Sequence, residues 1–158
     1  MGSGLTIDVE RTPGNIVATL VGVVDESAEM ELLTSLSGRV EVNLKDQVLV
    51  VYRRNHVALV SHVSTGGGHY FCSPDGCGNA ITPTGDFTTL SFMPGRVTVP
   101  LGEMYNPVFF IGTIFAIHGD THVPLRPASH GCVRIPVDIA AFFHTLVPTP
   151  GTPVYIRG

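Results

Sequence analysis

Residues 40–63 read VEVNLKDQVLVVYRRNHVALVSHV, and this stretch decides the fold class. Val40, Val42 and Leu44 alternate with Glu41 and Asn43, the period of two that lines one face of a strand with apolar side chains. Val48 to Tyr52 and Val57 to Val63 are further apolar, β-branched runs, separated by the turn-like Arg53-Arg54-Asn55. Three strands in a meander are the consequence. Downstream, Phe87 to Leu90, Arg96 to Leu101, Val108 to Ile117 and Val154 to Ile156 extend the sheet, with Gly, Pro or Asn between them. One helical pattern stands out, Ile139, Phe142, Phe143 and Leu146 at i, i+3, i+4, i+7. Pro136 lies near its start, Asp138 sits in its first turn, and Pro148 stops it. The expected fold is mainly β, with one short helix late in the chain.

Upstream of residue 40 the character differs. Met1 to Gly4 reads as a cloning remnant without a basic segment, so no signal peptide is read in this chain. Leu5 to Glu10 and Ile16 to Val24 flank Pro13-Gly14-Asn15 and predict a hairpin. Asp25 to Leu36 predicts a short helix, with Asp25 or Ser27 to cap it and Gly38 to end it. The expected division is an appendage at 1–38 and a main domain at 39–158.

Composition narrows the function. The chain has 158 residues, room for one catalytic or binding domain and a small appendage. With 44% hydrophobic residues it can bury a core, and its 14% charged residues fall below the ~25% usual in soluble domains. A net charge of -4 gives no electrostatic footprint for nucleic acid. Ile16 to Val24, interrupted by Thr19 and Gly22, is about half the length needed to cross a bilayer, so no transmembrane segment is expected.

Cys72 and Cys77 bracket Ser73-Pro74-Asp75-Gly76, whose residues suit a type I turn. Such a turn can bring the two sulfurs to bonding distance; two free thiols, or half of a metal site, are the other readings. A disulfide would imply export. Cys132 is then unpaired, either a buried space-filler or a working thiol. In Ser129-His130-Gly131-Cys132 it follows a glycine and directly precedes the predicted helix, where amides and the helix dipole can lower a thiol pKa below ~8.5. His118 ends the strand Val108 to Ile117 and is followed by Gly119. It can serve as base to the thiol, with the Gly131 and Cys132 amides holding an oxyanion, or it is a structural histidine.

These residues resemble the L,D-transpeptidase catalytic domain, the YkuD family. The resemblance is carried by Ile117-His118-Gly119 and Ser129-His130-Gly131-Cys132-Val133-Arg134, preceded by Val63-Ser64-Thr65-Gly66 and Thr82-Pro83-Thr84-Gly85-Asp86-Phe87, in the family's order. Asp46 to Tyr52 looks like its early strand, and the likeness runs from about Val40 to Ile156. It implies a sandwich-like β domain of a bacterial cell-wall enzyme, needing no cofactor and no metal, that joins peptidoglycan stem peptides through a cysteine thioester into 3-3 cross-links. Location in the periplasm or cell wall and covalent inhibition by carbapenem β-lactams are implied with it. By similarity Cys132 is the nucleophile and His118 the base, with His130 and Gly131 completing the catalytic block. Tyr105, Asn106, Ser129, Arg134 and Gly119 are then candidates for substrate contact, although Asn106-Pro107 also reads as a plain surface turn. Two departures stand out: the ten residues Gly119 to Ala128 make a short connection, and Gly66 to Ile81 is a long insertion carrying Cys72 and Cys77, in the manner of a stapled flap.

Three other readings are kept open. His118, His122, His130 and Cys132, with His62 and His69 as spares, are ligand types that zinc accepts. An L,D-carboxypeptidase or other cysteine peptidase on the same polymer would use the same residues, and a wall-binding module would keep the fold without the chemistry.

Overall fold

The computed structural model describes residues 6–12, 15–21 and 38–158. The chain divides into compact units Met1–Leu36 and Ser37–Gly158. In the first, β1 (Thr6–Thr12) and β2 (Asn15–Val21) form an antiparallel hairpin, with Thr12 opposite Asn15. The helix expected over 25–36 lies outside the described residues.

In the second unit, β3 (Arg39–Asn43), β4 (Val48–Arg53) and β5 (His56–His62) form the meander read from residues 40–63. The last strand, β14 (Pro153–Arg157), pairs parallel with β3 and antiparallel with β8 (Gly85–Thr88), giving the order β5-β4-β3-β14-β8. Between β5 and β8 stands a separate hairpin of β6 (Tyr70–Ser73) and β7 (Gly76–Asn79). The other large sheet contains β9 (Ser91–Phe92), β10 (Arg96–Val99), β11 (Gly102–Ile111), β12 (Phe115–Asp120) and β13 (Val133–Pro136). Its order is β10-β11-β12-β13, with β9 also on β11. One helix among the described residues, α1 (Val137–Leu146), follows β13 directly.

Both sheets contribute to one core. Val40, Val42, Leu49, Val51, Val154 and Ile156 from the first meet Val108, Ile117, Val133 and Ile135 from the second, and Ala140 and Phe143 of α1, which packs on β11, β12 and β13, join the same cluster. Burying each such aliphatic or aromatic side chain is worth about 1.5–3 kcal/mol, so the sandwich rests on these alternating positions. The opposite face of the second sheet carries a smaller apolar cluster, Met104, Phe109 and Ala116, with Val97, Val99 and Cys132 against it.

Two segments depart from the sequence reading. Val108 to Ile117 is not one strand: the chain reverses at Gly112–Ile114, and Gly112 takes φ 50°, which favours glycine. The apolar run continues through both arms because both are buried, so composition hides the reversal. Met104–Pro107 is not a surface turn either. It lies inside β11 at a bulge, where Asn106 takes φ 48°.

Candidate active site

β12 and β13 run parallel, with Ile117 opposite Val133 and His118 opposite Arg134. Alternation therefore sends Ile117, Val133 and Ile135 into the core and Ala116, His118, Cys132 and Arg134 to the other face. Strands about 4.8 Å apart, with residues two apart rising about 6.6 Å, set the Cys132 and His118 Cα atoms on a diagonal of about 8 Å. Both side chains project from one face of the strand pair.

His118 is only 5% exposed, and its Nδ1–H donates to the Gly119 carbonyl at 2.9 Å. A carbonyl can only accept, so the proton resides on Nδ1 and the neutral ring leaves Nε2 free to take one. Burial lowers the His118 pKa from 6.5; the Gly119 hydrogen bond and Asp120 oppose this, and Arg134 adds to it. The ring is neutral at physiological pH.

Cys132 is half-buried, and its thiol is directed to the Ile114 carbonyl, 3.5 Å away in the β11–β12 turn. Burial pushes the thiol pKa up; the Ala116 backbone and Arg134 act the other way without reversing it. This corrects the sequence reading of a thiol acidified by a helix. Four residues of β13 separate Cys132 from α1, and the dipole's influence fades within one turn. The resting group is a thiol, on the same sheet face as a neutral imidazole.

The turn bearing Cys132 is held from several directions. Ser129 Oγ–H donates to the Cys132 carbonyl at 2.6 Å, and the Gly131 amide donates to Ser129 Oγ at 3.0 Å. Gly131 takes φ 133°, and a Cβ there would lie 2.7 Å from the Phe115 ring, so only glycine fits. Thr82 Oγ1 accepts from the Gly66 amide at 2.8 Å and donates to the Gly131 carbonyl at 2.7 Å. Thr65 O accepts the Ala128 and Ser129 amides, Ser64 bridges Arg134 through both backbone groups, and Ser64 Oγ–H donates to Arg126 O. Gln47, also buried, donates to Thr65 Oγ1 and accepts from its amide.

The arrangement redistributes the expected substrate contacts. Ser129 is 1% exposed with its hydroxyl fully engaged, so it builds the turn rather than meeting a substrate. The Gly131 amide is likewise consumed and is not a free oxyanion donor. Asn106 Oδ1 accepts from the Gly95 amide at 2.7 Å and Nδ2 donates to Ala140 O at 3.3 Å; it closes the bulge. Gly119 is buried where a Cβ would lie 2.6 Å from Ala140 Cβ, so it admits α1 rather than a ligand. Tyr105 pairs with Gly119, and its Cβ lies on that same helix-facing side, away from Cys132. Arg134 Nε pairs with Asp120 Oδ2 at 3.2 Å, both side chains largely covered. His130 is half-buried, its ring against His69 and Phe71 at the start of the β6–β7 hairpin. Cys72 and Cys77 face each other in β6–β7, and their sulfurs are bonded.

Asp120, Thr82 and Ile114 are site residues that the sequence reading gave no role. Thr82 was visible within the Thr82–Phe87 piece, but its partners at positions 66 and 131 are not. The zinc reading is not supported: among the described residues no group of three or more His, Cys, Asp or Glu comes together to hold a metal. A groove of about 480 Å³, lined in part by Glu41, Asp46, Val50 and Tyr155, belongs to the other sheet. Two of its acids are already engaged, Glu41 with Arg39 and Asp46 with Asn43.

A β sandwich presenting a thiol and a tautomer-fixed imidazole on one sheet face defines a candidate cysteine acyltransferase. The L,D-transpeptidase catalytic domain model of YkuD matches residues 37–156, and the chain belongs to that family. The activity that goes with the family is peptidoglycan L,D-transpeptidation. An L,D-transpeptidase from Xylanimonas cellulosilytica superposes with TM-score 0.72 at 28% identity, over 86% of this chain and 72% of that one. The L,D-transpeptidase from Mycobacterium smegmatis gives 0.63 at 19% identity, over 77% and 59%. L,D-transpeptidase 3 from Mycobacterium tuberculosis, in complex with a faropenem-derived adduct, gives 0.60 at 16%, over 77% and 60%. At those identities the two mycobacterial proteins speak to fold alone, and the chain spans less than two thirds of each. No curated protein sequence matches. Among the described residues no helix is long and apolar enough to cross a membrane.

Proposed function

We propose that this domain forms 3-3 cross-links between peptidoglycan stem peptides through a Cys132 thioester. The observation that carries the reading is the placement of Cys132 and His118 on one face of adjacent parallel strands, with Nδ1–H of His118 committed to Gly119 O. As Sγ attacks the carbonyl between diaminopimelate and D-alanine, Nε2 accepts the thiol proton. The C–N bond then breaks, the proton passes to the departing D-alanine amine, and the acyl group stays on sulfur. A side-chain amine of a second stem attacks the thioester, loses its proton to Nε2, and the thiol is restored. With the Gly131 amide occupied, the Cys132 amide is the donor that meets the developing oxyanion.

The remaining residues have supporting parts. The Asp120–Arg134 pair brings opposite charges beside His118 and leaves its neutral form favoured. Ile81 and Ile114, both exposed, border the turn and the thiol and give the peptide an apolar rim. The faropenem-derived adduct on the Mycobacterium tuberculosis protein supports β-lactams, carbapenems included, as covalent inhibitors here. The bonded Cys72 and Cys77 are consistent with export to the periplasm or cell wall. Incubation with a disaccharide tetrapeptide, with products weighed, tests the reading. A cross-linked dimer with release of D-alanine is expected; loss of alanine alone means a carboxypeptidase, and unchanged peptide removes the reading.

A further inference from the structure

The β6–β7 hairpin is more than an insertion beside the site. His69, at its entrance, meets His130 edge to face with ring centroids 5.1 Å apart, and Phe71 meets the same ring at 4.9 Å. His69 and Phe71 are 6.3 Å apart, so the three rings form a closed cluster. It is anchored on both sides. The Gly67 amide donates to Ser129 O, the Ala80 amide donates to His69 O, and Cys72, next to Phe71, is bonded across the hairpin to Cys77. No side-chain hydrogen bond engages either imidazole among the described residues, and neither holds a buried unpaired nitrogen. Two imidazoles thus offer free ring nitrogens, one of them on His130, two residues from Cys132.

We propose that His69 and His130 form a carboxylate-binding subsite for the stem peptide, with Phe71 and the Cys72–Cys77 bond holding the pair in position. The inference rests on the transpeptidase reading above and names which chemistry of that substrate the hairpin recognises. A stem peptide carries carboxylates at its terminal D-alanine and on diaminopimelate, either of which can accept from two N–H donors at once. One cation and two acids stand on the elements around the pair. Burial, His69 and Arg134 all lower the His130 pKa, and Arg134 is itself balanced by Asp120. The hairpin adds Tyr70, and Asp75 at its tip, both exposed. The unoccupied His130 ring therefore resists taking a proton, and a bound carboxylate relieves that resistance. By linkage, binding raises the His130 midpoint and acidification tightens binding by the same factor.

The test uses Cys132→Ala, which binds without turnover, and follows the His69 and His130 ring resonances by NMR through a pH titration. Three tetrapeptides are compared: both carboxylates free, the D-alanine terminus amidated, and the diaminopimelate carboxylate amidated. The free peptide should raise the His130 midpoint by about one unit, equivalent to about tenfold tighter binding at acid pH. Whichever amide abolishes the rise identifies the carboxylate held. Peptide binding that perturbs other resonances but leaves both midpoints unmoved by all three peptides overturns the proposal. In the otherwise native enzyme, His69→Gln should raise KM about tenfold near pH 6 with kcat within about twofold, and the difference should vanish for the amide identified. An unchanged KM also overturns it. Absence of any turnover by the native enzyme counts against the transpeptidase reading instead.

Discussion

Ile117 and His118 are consecutive in β12 and do opposite work. Ile117 is fully buried against Val133 and Val108 at the centre of the sandwich, while His118, buried on the other face, keeps one ring nitrogen outside its Gly119 hydrogen bond. The same alternation separates Val133 from Cys132 and Arg134. One face of the strand pair supplies cohesion and the other carries the proposed reactive pair, and the strand's rigidity, secured on the first, fixes the geometry of the second.

Substitutions on the two faces should therefore fail differently. On the reactive face, His118→Ala should slow acylation by about 10²–10⁴ with the fold retained, measured by stopped-flow with a β-lactam. An unchanged rate would reduce His118 to a structural residue. On the cohesive face, Ile117→Ala should cost about 2–5 kcal/mol in denaturant unfolding while the folded fraction keeps its acylation rate. Loss of rate without loss of stability would dissolve the distinction. Thr82→Val sharpens it, because Thr82 joins the flap segment to the Cys132 turn. Orphaning the Gly131 carbonyl and Gly66 amide should cost about 1–3 kcal/mol and slow acylation, and Thr82→Ser should restore both. If Ser does no better than Val, packing of the methyl group rather than the relay is what matters.

The smallest effect is in pH. The folded protein holds His118 neutral below 6.5, so as pH falls the unfolded chain takes up that proton first. Stability should be level with respect to this group above about 6.5 and decline below it until the folded-state pKa is passed. Denaturation midpoints at pH 7.5, 6 and 5 should fall more for the native protein than for His118→Gln; parallel declines would place the sensitivity in other histidines.

The β3–β5 meander and α1 were legible because their period reports burial on one side, a property of neighbouring residues alone. The reversal at Gly112 was not, because both arms around it are buried and the apolar run hides the turn. Its consequence is functional, since the Ile114 carbonyl that meets the thiol comes from that turn. Cys132 and His118 stand out in sequence through their motifs, but the surroundings of the thiol do not. Strand β13 lies between Cys132 and the helix, and burial raises the pKa that the dipole was to lower. Ser129, Asn106 and Gly119 looked like binding residues because polar and glycine positions near a motif resemble loops. Their partners at 132, 95 and 140 show them shaping backbone instead. Asp120 with Arg134, and Thr82 with Gly131, are contacts between distant segments that no local pattern carries.

The account depends most on Cys132 being the acylated atom. Intact-protein mass spectrometry after exposure to faropenem, with the adduct mapped by peptide digestion, tests this directly. One adduct per chain on the peptide containing Cys132, absent from Cys132→Ala, is the predicted result. An adduct elsewhere, one that survives in Cys132→Ala, or none on the native protein would contradict it.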